Sequence, residues 1–90
     1  MTARLAAVAA VALSGRHARF GCQAAAGLRA WAARAGARLR LEDDRSDPAE
    51  SARLLSAMAP GADLAFGPYG SGPARAVAEA MAGRPEVVWN

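Results

Sequence analysis

The stretch "ADLAFGPYGSGPARAVAEAM", residues 62–81, decides the fold because it holds a strand, a turn and a helix in close succession. Residues 62–66 form a short apolar segment that predicts a strand, and the turn after them carries three glycines and two prolines. The helix that follows presents apolar side chains at i, i+3, i+4 and i+7, namely Ala74, Val77, Ala78 and Met81. Such a turn can simply reverse the chain, or it can direct backbone N–H groups at a negatively charged group.

The same strand-to-helix unit occurs twice before this stretch. The segment "CQAAAGLRAWAARAG" predicts a first helix that ends at Gly36, with one face made of Ala24, Leu28, Trp31 and Ala35. "ARLRLEDD" alternates as a strand does, and its apolar side is formed by Ala37, Leu39 and Leu41. A second helix begins at Asp47 as N-cap, with Pro48 in its first turn and Glu50 as the second member of a capping box. Its predicted apolar stripe is Ala52, Leu55 and Met58 or Ala59.

Together with "EVVW" as a last strand, the predicted order is β-α-β-α-β-α-β in a single domain. This alternation predicts an α/β fold, a parallel sheet with helices on both faces. In such sheets ligands bind at the carboxyl ends of the strands. The three loops "SGRHARFG", "EDDRSDP" and "GPYGSGP" are therefore expected at the functional edge of the sheet.

Residues 1–13 allow two interpretations. One early arginine, an apolar run and Ala-x-Ala triplets are typical of a signal peptide, and alanine is a poor strand former. A buried parallel strand is also a near-continuous apolar run, and the loop and helix that follow need a strand before them. We favour the strand. No segment is long enough to cross a membrane, so no membrane insertion is expected.

Composition narrows the classes of function. Of the 90 residues, 26 are alanine, and the net charge of +3 comes from eleven arginines without any lysine. The arginines are scattered singly, so we expect no nucleic-acid binding.

One cysteine, Cys22, excludes an internal disulfide and a cysteine zinc site, and the lone His17 is expected to be an exposed loop residue. Asp43 and Asp44 are expected to be a solvated strand end without a metal, and no catalytic pair is recognisable, which argues against an enzyme.

The turn at residues 67–72 leaves alternatives open. Gly70, Ser71 and Gly72 precede a helix whose N-terminus offers free N–H groups, which suits a carboxylate or a phosphate. Alternatively, Ser71 or Gly72 is a plain N-cap. A phosphate loop would need a Gly-Lys-Ser/Thr run, and the chain has no lysine. A small doubly wound domain that binds a phosphate-bearing cofactor at this turn remains an alternative function.

Six short motifs occur in an ordered spacing along nearly the whole chain. They are Ser14-Gly15, Phe20-Gly21, Asp43-Asp44, Asp47-Pro48, Gly67-Pro68 and Ser71. In this order they resemble the type I periplasmic binding proteins, and within them the branched-chain amino-acid substrate-binding proteins of ABC transporters. The resemblance implies that residues 1–90 are the N-terminal part of the first lobe, a Rossmann-like half-lobe, with the second lobe absent.

The resemblance also implies a function and a site. Ser71, with the N–H groups of Gly70 and Gly72, would bind the α-carboxylate of an amino acid or amide, Phe20 would border the ligand side chain, and Tyr69 would lie on the rim. The implied role is the substrate-binding component of an amino-acid transporter, without a cofactor, partnered by the transporter's permease in the periplasm or outside the cell. A cytoplasmic sensor of the same fold is a variant. Gly72 departs from the family, where a second hydroxyl residue is common.

Overall fold

Three helices alternate with four strands in the computed structural model, which describes residues 4–68 and 70–89. The strands are β1 (Ala6–Val11), β2 (Arg38–Asp43), β3 (Leu64–Phe66) and β4 (Val88–Trp89), and the helices are α1 (Ala18–Ala35), α2 (Pro48–Met58) and α3 (Ser71–Ala80). The predicted order is confirmed. The strands at residues 62–66 and 86–89 are shorter than predicted, and α1 begins four residues earlier than the predicted helix at Cys22.

All four strands are parallel, and their order in the sheet is β2-β1-β3-β4. Strand β1 is central, since Ala7 pairs with Leu39 of β2 on one side and with Leu64 of β3 on the other. Of the two interpretations of residues 1–13, the structure agrees with the strand, which spans Ala6–Val11. Its side chains are small, and Ala9 and Ala10 are completely buried. Alanine tolerates this central position because both faces of the strand are covered.

The helices cover both faces of the sheet, as predicted. Helix α1 packs on one face against β1 and β2, while α2 and α3 pack together on the other. On the α1 face the apolar cluster joins Ala9, Val11 and Ala25 with Leu28, Leu39, Leu41 and Phe66. On the opposite face the cluster includes Val8, Leu55, Met58, Ala65, Val77 and Met81. The chain moves one way from β1 to β2 and then back across to β3 and β4. Crossovers of the usual right hand place their helices on opposite faces when the chain reverses in this way.

The buried face of α1 differs from the predicted one. Leu28 and Trp31 do face the sheet, and Trp31 meets Phe66 edge to face with a centroid distance of 5.8 Å. Ala24 and Ala35 are exposed, however. The buried positions are instead Gly21, Ala25 and Ala32. The physical reason is a close contact at Gly21, where a Cβ would lie 1.8 Å from the carbonyl oxygen of Ala12. This contact with the end of β1 fixes the rotation of the helix about its axis.

The end of α1 and the start of α2 are fixed by local capping interactions. Gly36 caps α1 in the left-handed conformation, with φ 68°, as predicted. At the start of α2 the Asp47 side chain accepts a hydrogen bond from the N–H of Ala49 at 3.1 Å, which confirms the predicted cap. The capping box is not completed. The Asp47 N–H donates to the carbonyl of Asp44, and Glu50 pairs with Arg53 instead.

Two apolar stripes on the other face of the sheet are also shifted from the predicted positions. In α2 the buried residues are Ser51, Leu54, Leu55 and Met58, whereas Ala52 is only half-buried. In α3 Val77 and Met81 are buried as predicted, but Pro73 joins them and Ala78 is exposed. No helix formed by the described residues is both long and apolar enough to span a membrane.

Candidate ligand-binding crevice

A crevice opens at the carboxyl edge of the sheet, between the loops that follow β1 and β3. From β1 the chain leads to one side of the sheet, and from β3 it leads to the other. The loops after these adjacent strands therefore diverge, which is the point where open α/β sheets bind their ligands. The crevice has a volume of about 380 Å³ and is lined by Arg16, His17, Ser46, Pro48, Gly70, Ser71, Gly72 and Pro73.

The N-terminus of α3 forms one wall of the crevice. Gly70 is the residue that precedes the helix, with φ 102° and ψ 147°, a conformation that is essentially restricted to glycine. The first intrahelical hydrogen bond runs from the N–H of Ala74 to the carbonyl of Gly70, so the N–H groups of Ser71 and Gly72 precede the helical ladder. Ser71 and Gly72 are exposed. This wall combines donors with the positive end of the helix dipole.

Neither Ser71 nor Gly72 is the N-cap, so the alternative of a plain cap at these residues is wrong. Ser71 is already the first residue of α3, and Gly70 occupies the cap position without a side chain that could bond the helix. Within residues 4–68 and 70–89, the Ser71 hydroxyl has no hydrogen-bond partner. The hydroxyl is therefore available to a ligand in the crevice.

Arg16 and His17, in the loop after β1, form the facing wall. The backbone N–H of His17 donates to the Ser46 hydroxyl at 3.0 Å, which ties this loop to the loop after β2. His17 is half-buried and lines the crevice, so the expectation of an exposed loop residue was wrong. Arg16 is exposed. The topology brings it to the same crevice as Ser71, although 55 positions separate the two in sequence.

The acidic pair at the end of β2 is structural, and the expectation of a solvated strand end was wrong. Asp44 is only 1% exposed. Its carboxylate accepts hydrogen bonds from the Ser51 hydroxyl at 2.7 Å and from the Ser46 N–H at 2.9 Å. Asp43 accepts from the Ser14 hydroxyl at 2.7 Å and from the N–H groups of Leu13, Ser14 and Arg45 at 2.9, 3.2 and 2.8 Å. The two carboxylates therefore hold the loops after β1 and β2 together.

Ser46 is the residue through which this network reaches the crevice. Its hydroxyl donates to the carbonyl of Ser14 at 2.8 Å and accepts from His17, while its side chain lines the crevice. Arg45 and Ser46 both have left-handed backbones, with φ 57° and 60°. Such a pair of non-glycine residues is strained, and it persists where surrounding hydrogen bonds fix the loop. Asp43 and Asp44 thus hold Arg45 and Ser46, and with them the part of this loop that lines the crevice, in place.

The protein is expected to lose stability in acid through Asp43. Burial raises the pKa of this carboxyl, but hydrogen bonds from the Ser14 side chain and from the N–H groups of Arg45, Leu13 and Ser14 outweigh it, so its pKa is lowered. A group with a lowered folded-state pKa stabilises the fold above its unfolded value of about 3.9. That contribution is lost as the pH falls from about 4 through the lower, folded-state pKa. Urea unfolding between pH 3 and 7 measures it.

Asp43→Asn is the matched control for this pH dependence, because the amide keeps the shape and removes the titration. The variant should show a shallower loss of stability below pH 4 than the natural protein. Glu50, whose pKa is lowered by its hydrogen bond with Arg53, remains in both proteins and cancels in the comparison. Identical pH profiles for the two proteins would contradict the assignment to Asp43.

Of the predicted site residues, the structure brings Gly70, Ser71 and Gly72 together in the crevice. Phe20 is 46% exposed on the first turn of α1 and is not among the residues that line the crevice. Tyr69 lies outside the described residues. Sequence reasoning missed Arg16 and Ser46. The order of the strands was the signal for Arg16, because the loops after adjacent, diverging strands must face each other.

The acidic residues do not gather as metal ligands would. Among residues 4–68 and 70–89, no group of three or more histidine, cysteine, aspartate or glutamate residues is placed to hold a metal ion. Asp43 and Asp44 direct their oxygens at hydroxyl and N–H groups of the protein. Their role is to accept hydrogen bonds.

The fold matches part of a periplasmic-binding-protein lobe, as the resemblance of the sequence motifs implied. A substrate-binding periplasmic protein from Ralstonia solanacearum superposes with a TM-score of 0.79 at 21% identity, over 93% of this chain and 28% of that one. A leucine-binding protein from Thermotoga maritima gives a TM-score of 0.76 at 16% identity, over 93% of this chain and 26% of that one. For a "possible leucine/isoleucine/valine-binding protein" from Rhodopirellula baltica the TM-score is 0.69 at 22% identity, over 86% and 24% of the two chains.

These similarities concern the fold, and they extend over part of each solved structure. The chain spans between 24% and 28% of the length of these three proteins. No protein-family model matches the chain, and no curated protein sequence matches it.

Proposed function

We propose that residues 1–90 are the N-terminal part of the first lobe of a substrate-binding protein that serves an ABC transporter for amino acids or amides. The observation that carries this proposal is Ser71, which opens α3 with an unengaged hydroxyl inside the crevice at the diverging strands. The solved neighbours, which include a periplasmic substrate-binding and a leucine-binding protein, support a binding role rather than catalysis. The proposed partner is the permease of that transporter, and the proposed location is the periplasm or the cell exterior.

In this function the N-terminus of α3 binds the α-carboxylate of the ligand. The Ser71 hydroxyl and the N–H groups beside it donate to the carboxylate oxygens, and the helix dipole favours the negative charge. Gly70 keeps the backbone in the conformation that this turn requires, and Gly72 leaves the first turn of the helix open. Such charge-assisted hydrogen bonds are stronger than neutral ones.

The ligand side chain is proposed to extend from this carboxylate toward the first turn of α1. Phe20 lies on that turn, and its N–H donates to the carbonyl of His17, which itself lines the crevice. Phe20 is 46% exposed, and an exposed aromatic ring at this position can pack against the methylene groups of a ligand side chain. Tyr69, between Pro68 and Gly70 in sequence, is proposed to border the carboxylate on the rim.

The chain should bind leucine at this site with a dissociation constant well above about 1 mM. Ser71 is exposed, so its charge-assisted hydrogen bond yields only about 1.5–3 kcal/mol, less than the roughly 4.1 kcal/mol of a complex with a dissociation constant of about 1 mM, and an open crevice buries little of the ligand. A titration of the ¹⁵N-labelled chain with leucine, followed by NMR, should move the N–H signals of Gly70, Ser71 and Gly72. Ser71→Ala should weaken binding by about tenfold or more, since one charge-assisted hydrogen bond of at least about 1.5 kcal/mol is lost.

Ser56→Ala is the control, because Ser56 lies on α2 and is not among the residues that line the crevice. It should leave the titration unchanged. Micromolar affinity for leucine would contradict the open site described above. Signals at residues 70–72 that respond to adenosine monophosphate and not to leucine would instead favour a domain that binds a phosphate-bearing cofactor.

A further inference from the structure

Arg16 adds a second positive charge to the crevice, besides the positive end of the α3 dipole. It lines the same crevice as Ser71, on the wall formed by the loop after β1. Three ion pairs join described residues, Arg40 with Glu42, Arg53 with Glu50 and Arg84 with Glu86, and Arg16 belongs to none of them. Its exposed guanidinium therefore has no carboxylate partner among residues 4–68 and 70–89.

The positive charge of Arg16 is not balanced by any described residue that lines the crevice. The eight described residues that line it include no aspartate or glutamate. The carboxylates of the neighbouring loop, on Asp43 and Asp44, accept hydrogen bonds from Leu13, Ser14, Arg45, Ser46 and Ser51. Arg16 and the positive end of the α3 dipole therefore both attract a negatively charged ligand.

The backbone that carries Arg16 is held on both sides. Before it, Ser14 is bonded to Asp43 through its hydroxyl and its N–H, and its carbonyl accepts from Ser46. After it, the N–H of His17 donates to Ser46. The loop thus presents the guanidinium from a fixed backbone position. Because the backbone is already fixed, binding of an anion needs to order only the arginine side chain and not the loop that carries it.

We propose that Arg16 is a specificity-determining residue, and that the ligand carries a second acidic group in addition to the carboxylate bound at α3. This rests on the proposed function for the first carboxylate. A guanidinium binds a carboxylate through two parallel N–H donors, a geometry that an amide or an alkyl group cannot match. The ligand class is therefore an acidic amino acid or a dicarboxylate, with its two anionic ends on the two walls.

L-glutamate and L-glutamine are the matched ligands for the test, because they have the same shape and differ by one negative charge. NMR titrations of the labelled 90-residue chain at equal ionic strength should show glutamate binding up to about fivefold more tightly than glutamine, the upper end for an exposed ion pair. Arg16→Gln should abolish the difference, and Arg16→Lys should retain part of it. Arg29→Gln makes the same change of net charge on the exposed side of α1 and should leave the preference intact.

The outcomes separate the two proposals. Equal affinity for glutamate and glutamine, with both shifting the signals of residues 70–72, would overturn the role of Arg16 and leave the carboxylate site standing. A preference that Arg29→Gln removes as fully as Arg16→Gln would also overturn it, since net charge alone would then explain the selectivity. If neither ligand shifts those signals, the carboxylate site fails and the role of Arg16 fails with it.

Discussion

Gly21→Ala is expected to destabilise the protein by at least about 3 kcal/mol, the upper range for overpacking a core. A Cβ at this position would lie 1.8 Å from the carbonyl oxygen of Ala12, and its next contacts would also be backbone atoms of Ala12. Backbone cannot rotate away as a flexible side chain can. Helix α1 would have to move off the end of β1, which would separate the apolar cluster on that face of the sheet.

Gly27→Ala is the matched control on the same helix. Of the residues that the structure describes, none outside the neighbouring helix backbone comes within 4 Å of a Cβ at Gly27. This variant should therefore be more stable by about 0.5–1 kcal/mol through its better helix propensity. Urea unfolding followed by circular dichroism measures both variants. Two glycine-to-alanine changes in one helix should thus act in opposite directions. A Gly21→Ala protein as stable as the natural one would show that α1 does not pack on Ala12 in this way.

Asp44→Ala is expected to cost about 2–3 kcal/mol. The Asp44 carboxylate is buried, and its removal leaves the N–H of Ser46 without its acceptor and weakens the hydrogen bonding of the buried Ser51 hydroxyl. Unsatisfied buried groups cost about 1–3 kcal/mol each, and Ser51 keeps part of its bonding through the carbonyl of Asp47. The left-handed pair at Arg45 and Ser46 would lose one of the bonds that hold it.

Two other variants make the measurement specific. Asp47→Ala removes an exposed carboxylate in the same loop and should cost only about 1 kcal/mol, the usual value for an N-cap. Asp44→Asn should destabilise the protein less than Asp44→Ala does, because the amide can accept a hydrogen bond from the N–H of Ser46 and donate one to the hydroxyl of Ser51. The same denaturation assay applies. If Asp44→Ala and Asp47→Ala shift the midpoint equally, the buried network does not carry the stability assigned to it.

The sequence was sufficient for the order of elements and the layering of the sheet. Alternation in β2 placed Leu39 and Leu41 on the core side, and Asp47 with Pro48 located the start of α2 within a residue. It was not sufficient for the rotation of α1. Alanines occur all around that helix, so periodicity alone cannot choose between Ala24 and Ala25. The choice is made by one tertiary contact, between Gly21 and Ala12.

The candidate site also has residues that the sequence could identify and residues that only the tertiary structure shows. Gly70, Ser71 and Gly72 are adjacent in sequence and precede a helix, so a local pattern was enough to select them. Arg16 and Ser46 reach the crevice from two other loops, and only the strand order shows that these loops meet. Asp44 was misjudged because an acidic residue at a strand end is usually solvated, and its burial depends on the hydroxyl of Ser51 a full turn into the next helix.

The alanines of β1 mean that this protein has little spare room at its centre. Ala7, Ala9 and Ala10 are at most 2% exposed. Ala9 belongs to the apolar cluster on the α1 face of the sheet, and Ala10 to the cluster on the opposite face. In most cores the damaging substitutions shorten a side chain, but here there is almost nothing to shorten. Enlargement is the hazard, since each added methyl must push a helix away from the sheet. Sequence change that adds volume is therefore better tolerated on the outer surfaces of the helices than in this strand.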